Sequence, residues 1–101
     1  NALDQLLIAQ WSGFAGALAV GDRTKAVQYL TGQAQLKYAP VFGALQPRLA
    51  QIVSSFTAPQ LASISDELGE YVVGRTINGV NQIFFIYFVR DSDGVWRVDS
   101  M

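Results

Sequence analysis

Two β-rich segments, Tyr71 to Ile77 and Val80 to Arg90, are separated by the dipeptide Asn78-Gly79, and no other feature restricts the fold of this chain so strongly. A tight two-residue hairpin loop needs positive φ, which Asn and Gly tolerate best, so Asn-Gly between two strand-forming runs predicts a hairpin. The register follows. Ile77 stands opposite Val80, Arg75 opposite Gln82, Val73 opposite Phe84 and Tyr71 opposite Ile86. A second turn signal, Asp91-Ser92-Asp93-Gly94, leads into a closing strand from Val95 to Ser100. Upstream, Ala62, Ile64 and Leu68 alternate with Ser63, Ser65 and Glu67, the period of a further strand. The second half of the chain therefore predicts a four-stranded antiparallel meander.

The first half has a different period. Leu3, Leu7, Trp11, Phe14 and Leu18 recur at three- and four-residue intervals, which places them on one stripe of a helix over 3–20. Gly13 and Gly16 weaken that helix and leave room for a close neighbour. Gly21-Asp22 stops it and caps a second helix running to about Leu30. Pro40 and Pro47 predict that the apolar stretch from 33 to 55 is broken into short pieces at about 33–38, 40–45 and 47–55. The expected class is α+β: N-terminal helices packed on a curved four-stranded antiparallel sheet. At 101 residues the chain forms one domain. Asn1-Ala2 reads as a cloning scar, which leaves residues 3–101 as the domain.

The strand faces carry the functional argument. A two- or four-residue turn at 91–94 pairs Val89 with Trp96 and Tyr87 with Val98, so one face holds Val72, Thr76, Ile83, Phe85, Tyr87, Val89, Trp96 and Val98. This uncharged face is expected against the helices. The other face holds Tyr71, Val73, Phe84, Ile86 and Phe88, fringed by Arg75, Arg90 and Arg97. One layer of helices covers one face of a sheet, and an apolar patch with a polar rim is the signature of an interface. The expectation is that Tyr71, Val73, Phe84, Ile86 and Phe88 meet a second copy or a neighbouring domain, the alternative being cover by another part of the same chain. A bulge at either turn shifts the register by one and inverts the later assignments.

Composition narrows the chemistry. The chain has no His and no Cys, which removes thiol chemistry, structural zinc and any His-based triad. A net charge of −1 with dispersed Arg argues against nucleic acid. The longest apolar run, Ile83 to Val89, is far short of the ~20 residues of a membrane helix, so no membrane insertion is expected. No basic-then-apolar leader opens the chain, which reads as a mature fragment or an excised domain. No metal or cofactor constellation appears. Asp91, Asp93 and Gly94 lack the rest of a calcium loop. Asp66 shares parity with Ala62, Ile64 and Leu68; pointing inward it is a candidate general base or ligand anchor, at the rim it is a solvated strand-end residue. A rival reading is a small apolar-ligand pocket lined by Trp11, Tyr29, Asp66, Phe85, Tyr87 and Trp96, whose aromatic members equally suit a plain core.

Taken together, Tyr71-Val-Val-Gly-Arg75, the turn at Gly79, and the run Tyr87-Phe-Val-Arg-Asp-Ser-Asp-Gly-Val-Trp-Arg-Val98 resemble the C-terminal sheet of the nuclear transport factor 2-like superfamily. The opening helix with Trp11 and Phe14, the Gly21-Asp22 start of a short helix with Ala26 and Leu30, and the stretch with Tyr38 and Phe42 resemble its helical front. The resemblance implies a cone of helices around a curved sheet, with the likeness nearest to small bacterial domains that end larger secreted or envelope proteins. It implies pairing through the open sheet face in non-enzymatic members, and a pocket with Asp, Tyr or His in isomerase- and dehydratase-like ones. Here only Asp66, with Tyr29 or Tyr87, stands in for such residues. The expected function is thus a non-catalytic accessory domain, extracytoplasmic, with the pocket-based binder or enzyme as alternatives.

Overall fold

The computed structural model describes residues 1–101. Helices α1 (Ala2–Ala19), α2 (Arg23–Val27), α3 (Gly32–Ala44) and α4 (Leu49–Ser54) precede strands β1 (Gln60–Ile64), β2 (Leu68–Ile77), β3 (Val80–Arg90) and β4 (Trp96–Ser100), with a 3₁₀ turn at Gln46–Arg48. The sheet is a meander of order β1-β2-β3-β4, antiparallel throughout. The α+β architecture expected from the sequence is the one observed.

Helix α1 starts where Asn1 accepts a hydrogen bond from the Asp4 N–H, satisfying one of the free donors of the first turn. It buries Leu7, Trp11, Phe14 and Leu18, four members of the expected stripe. Gly13 lies where a Cβ would run into the Tyr29 ring, so its absence lets the chain after α2 approach α1. Asp22 caps α2 through the Lys25 N–H, yet α2 ends at Val27, earlier than expected. Tyr29, Leu30 and Thr31 instead run alongside β4. The Val98 N–H donates to the Tyr29 carbonyl at 2.8 Å, and the Thr31 N–H donates to the Val98 carbonyl at 2.9 Å. This segment occupies part of the sheet's β4 edge, which would otherwise present unpaired backbone groups.

Thr31 then caps α3. Its hydroxyl accepts from the Ala34 N–H at 3.2 Å and donates to Asp99 at 2.8 Å. Helix α3 continues through Pro40, contrary to the expected break. Leu36 and Pro40 both lie on the exposed side of the helix, which survives the one hydrogen bond that proline removes. Pro47 lies in the first turn of the 3₁₀ segment that follows α3, where its missing N–H breaks no helical bond.

The Asn78-Gly79 hairpin has the expected register along the whole of β2 and β3, with Asn78 at φ 51° and Gly79 at φ 78°. The second turn differs. Five residues, 91–95, connect β3 to β4, and the ladder resumes with Arg90 opposite Trp96, Val89 opposite Arg97 and Phe88 opposite Val98. Gly94 at φ 81° and the Asp93 side chain, which accepts from the Val95 N–H, hold this longer loop. Farther along, a bulge places Ser100 opposite Tyr87.

That single extra residue exchanges the two faces. Trp96 and Val98 share a face with Ile86 and Phe88, not with Tyr87 and Val89. Tyr71, Val73, Ile86 and Phe88 are therefore core residues, at most 1% exposed, and Phe84 is half-buried against them. The expectation that these five form an outer interface is corrected. The face expected against the helices, with Val72, Ile83, Phe85, Tyr87 and Val89, is the outer one. The core lies between the inner sheet face and Leu7, Trp11, Phe14, Leu30, Tyr38 and Phe42. Phe14 and Phe42 pack at 5.8 Å, and Tyr71 meets Phe88 edge-on at 5.6 Å. Gln10 of α1 donates to the Trp96 carbonyl at 2.9 Å, and the Tyr71 hydroxyl donates to the Asp4 carboxylate at 2.5 Å, which ties α1 to the sheet by polar contacts as well.

Candidate functional site

The outer sheet face is built by the odd-numbered side chains of β3 and their ladder partners. Along β3 these are Ile83, Phe85, Tyr87 and Val89; Phe85 stands opposite Val72, Tyr87 opposite Glu70, and Val89 opposite both Leu68 and Arg97. The helices lie on the opposite side, so this face has no layer over it. Ile83 remains 67% exposed and Phe85 44%. Phe85 and Tyr87 stack on each other at 6.3 Å between ring centres. Strand β3 is thus apolar on both faces, as a sandwiched strand is, although only one face is covered by the chain's own helices.

Charge sits at the two flanks of this apolar strip. On the β2 side, the Glu70 carboxylate draws the Tyr87 phenol proton, which together with partial desolvation raises the Tyr87 pKa above its ordinary value. On the β4 side, Arg97 bridges Asp91 at 2.9 Å and Asp93 at 3.0 Å. Hydrogen bonding to Arg97 first, and to the Val95 N–H second, lowers the Asp93 pKa. The same two carboxylates, Asp93 foremost, raise that of Arg97. These two bridges belong to the turn and fix its five-residue geometry.

The residues expected to line a ligand pocket do not come together. Trp11 and Trp96 are buried in the core, Phe85 and Tyr87 lie on the outer sheet face, and Tyr29 packs over Gly13 beside β4. Asp66 is exposed in the turn between β1 and β2, outside the ladder. Its expected parity with Ala62 and Ile64 has no structural meaning there, because the strand ends at Ile64 and a bulge interrupts β1 at Leu61 to Ser63. None of the cavities is lined by Asp66. No group of three or more His, Cys, Asp or Glu is arranged to hold a metal ion, and no helix is long and apolar enough to cross a membrane.

A concavity that sequence reasoning missed lies on the inner side of the sheet, at the turn end of the β2–β3 hairpin. Tyr38 and Phe42 of α3, Ile52 of α4, Phe56, and Ile77 and Phe84 of the hairpin line an open concavity of about 310 Å³. Arg75 is its one charged lining residue. The sequence signal for it was available: Arg75 shares the parity of Tyr71 and Val73, so it belongs to the core face at the end where the short α4 no longer fills the space.

A scan of protein-family models gives no match to this chain, and neither the curated proteins nor the solved structures give one.

Proposed function

We propose that this chain is a non-catalytic interaction domain of the nuclear transport factor 2-like kind, part of a larger secreted or envelope protein, and that its outer sheet face pairs with the same face of a second copy. The observation that carries the reading is the exposure of Ile83 and Phe85 in the middle of a strip with Val72, Tyr87 and Val89, over which the chain places no layer of its own. Burying such a strip gains about 25 cal/mol per Å² of apolar surface, less the cost of association.

The placement of the apolar row along β3, between its two flanking strands, favours a second copy as the occupant. Glu70 lies on β2 and Arg97 on β4, on either side of β3. A two-fold axis running along β3 lays β2 of one copy over β4 of the other. Each Glu70 then faces the neighbourhood of the other copy's Arg97, two residues along β3 apart, while Phe85 and Tyr87 meet their own counterparts. The apolar row along β3 is therefore self-complementary under the symmetry that a closed dimer requires, with Glu70 and the Arg97 cluster left at the rim.

Light scattering coupled to size exclusion tests this. The wild type is expected to be a dimer that dissociates on dilution. Phe85→Asp is expected to be monomeric with an unchanged far-ultraviolet circular dichroism spectrum, while Ser54→Asp, on the exposed part of α4, leaves the dimer intact. A wild type that stays monomeric at high concentration removes the pairing.

A further inference from the structure

We infer that the cavity at the turn end of the β2–β3 hairpin binds a small amphipathic organic anion, its apolar chain among the aromatic and aliphatic side chains and its carboxylate on Arg75. The site opens on the inner side of the sheet and shares only Ile83 with the outer face.

The lining is apolar apart from its rim. Phe42, Ile52, Phe56, Ile77 and Phe84 make the walls. Phe56 and Phe84 hold each other edge-on at 5.3 Å, which fixes the floor. A volume of about 310 Å³ lies at the lower end of the roughly 300–1,000 Å³ typical of small-molecule sites. At ~30 Å³ for each water-sized group, it holds about ten non-hydrogen atoms, the size of octanoate.

Arg75 supplies the selectivity. Its Nε–H donates to the Ser55 hydroxyl at 2.8 Å, and that hydroxyl donates in turn to the Ile52 carbonyl at 2.6 Å. The guanidinium is thereby held by one corner, with its other nitrogens unbonded. The chain's two ion pairs both belong to Arg97, so no carboxylate of the protein neutralises Arg75. An arginine on the lining of an apolar concavity, held through its Nε and with its terminal N–H donors unpaired, matches a carboxylate in charge and in bidentate geometry. A cation of the same length is repelled, and a neutral alcohol forfeits the charge-assisted bonds.

Isothermal titration calorimetry with octanoate, octanol and octylammonium tests the inference, together with amide chemical shifts of the wild type during the octanoate titration. Octanoate is expected to bind at least about tenfold tighter than either relative, the gain of one good charge-assisted contact. The shifts are expected to concentrate on residues 52–56, 75–77 and 82–84. Arg75→Gln is expected to bring octanoate down to the affinity of octanol. Should that variant fail to fold, the wild-type selectivity and shift map decide the matter alone. Equal affinity for the three probes, no octanoate binding, or shifts centred on Phe85 and the outer face overturns the proposal.

Discussion

Residues 85 and 88 of β3 bear the same side chain, and only the register of β4 decides which one belongs to the core. Phe88 is 1% exposed, lies opposite Val98 and packs edge-on against Tyr71, whereas Phe85 is 44% exposed and lies opposite Val72 on the outer face. Truncating a fully buried Phe to Ala costs about 3–5 kcal/mol, from lost transfer energy and the cavity left behind. Truncating a Phe that keeps nearly half its surface in water costs roughly 1 kcal/mol within one chain. With a urea m value of about 1–3 kcal/mol/M, Phe88→Ala is expected to lower the unfolding midpoint by at least ~1 M. Phe85→Ala is expected to lower it much less. Running the titrations at two protein concentrations separates the effects, because only the Phe85 variant changes a bimolecular contact. Its deficit grows as the wild type is concentrated, while that of Phe88→Ala stays constant. Equal, concentration-independent losses at the two positions would refute the assignment of faces and return Phe85 to the core.

Two further outcomes follow from polar contacts of the core. Burial first, then the hydrogen bond to Asp4 and the charge of Asp4, push the Tyr71 phenol pKa up. A raised pKa in the folded state means that its stabilising contribution is complete below the ordinary phenol value of about 10 and is lost as pH rises through the folded-state pKa. Tyr71→Phe is therefore expected to lose less stability than the wild type between mildly and strongly alkaline pH, measured by urea midpoints; parallel curves would contradict it. Thr31→Ala removes both the α3 cap and the bond to Asp99, and is expected to lower stability by about 1–2 kcal/mol in chemical denaturation. A loss within ~0.3 kcal/mol would show that the cap is dispensable.

Much of the fold was legible because its signals are local. The stripe through Leu7, Trp11, Phe14 and Leu18, the cap at Asp22 and the Asn78-Gly79 loop each act over a few residues, and each does in the structure what its chemistry dictates. The misreadings share a different cause. Pro40 was expected to break α3, but whether a helix tolerates one missing bond depends on the rest of its packing, a property of the folded molecule. Asp66 took its supposed orientation from a strand that ends two residues earlier. The candidate pocket drew Trp11 and Tyr87 together from residue type alone, although they lie on opposite sides of the sheet's inner layer. The cavity beside Arg75 was overlooked because an empty volume has no sequence period of its own.

The amino-acid order alone determined that helices come first, that four strands follow in a meander, and that β2 and β3 pair in one register, since each of these rests on neighbours along the chain. The tertiary structure decided which side of β3 turns inward. That choice hangs on one additional residue in the loop 91–95 and on where Trp96 and Val98 find the helices. Strand side chains alternate with a period of two, so a displacement of one residue sends a whole row from core to surface, and β3 is apolar enough on both sides for its own sequence to accept either answer.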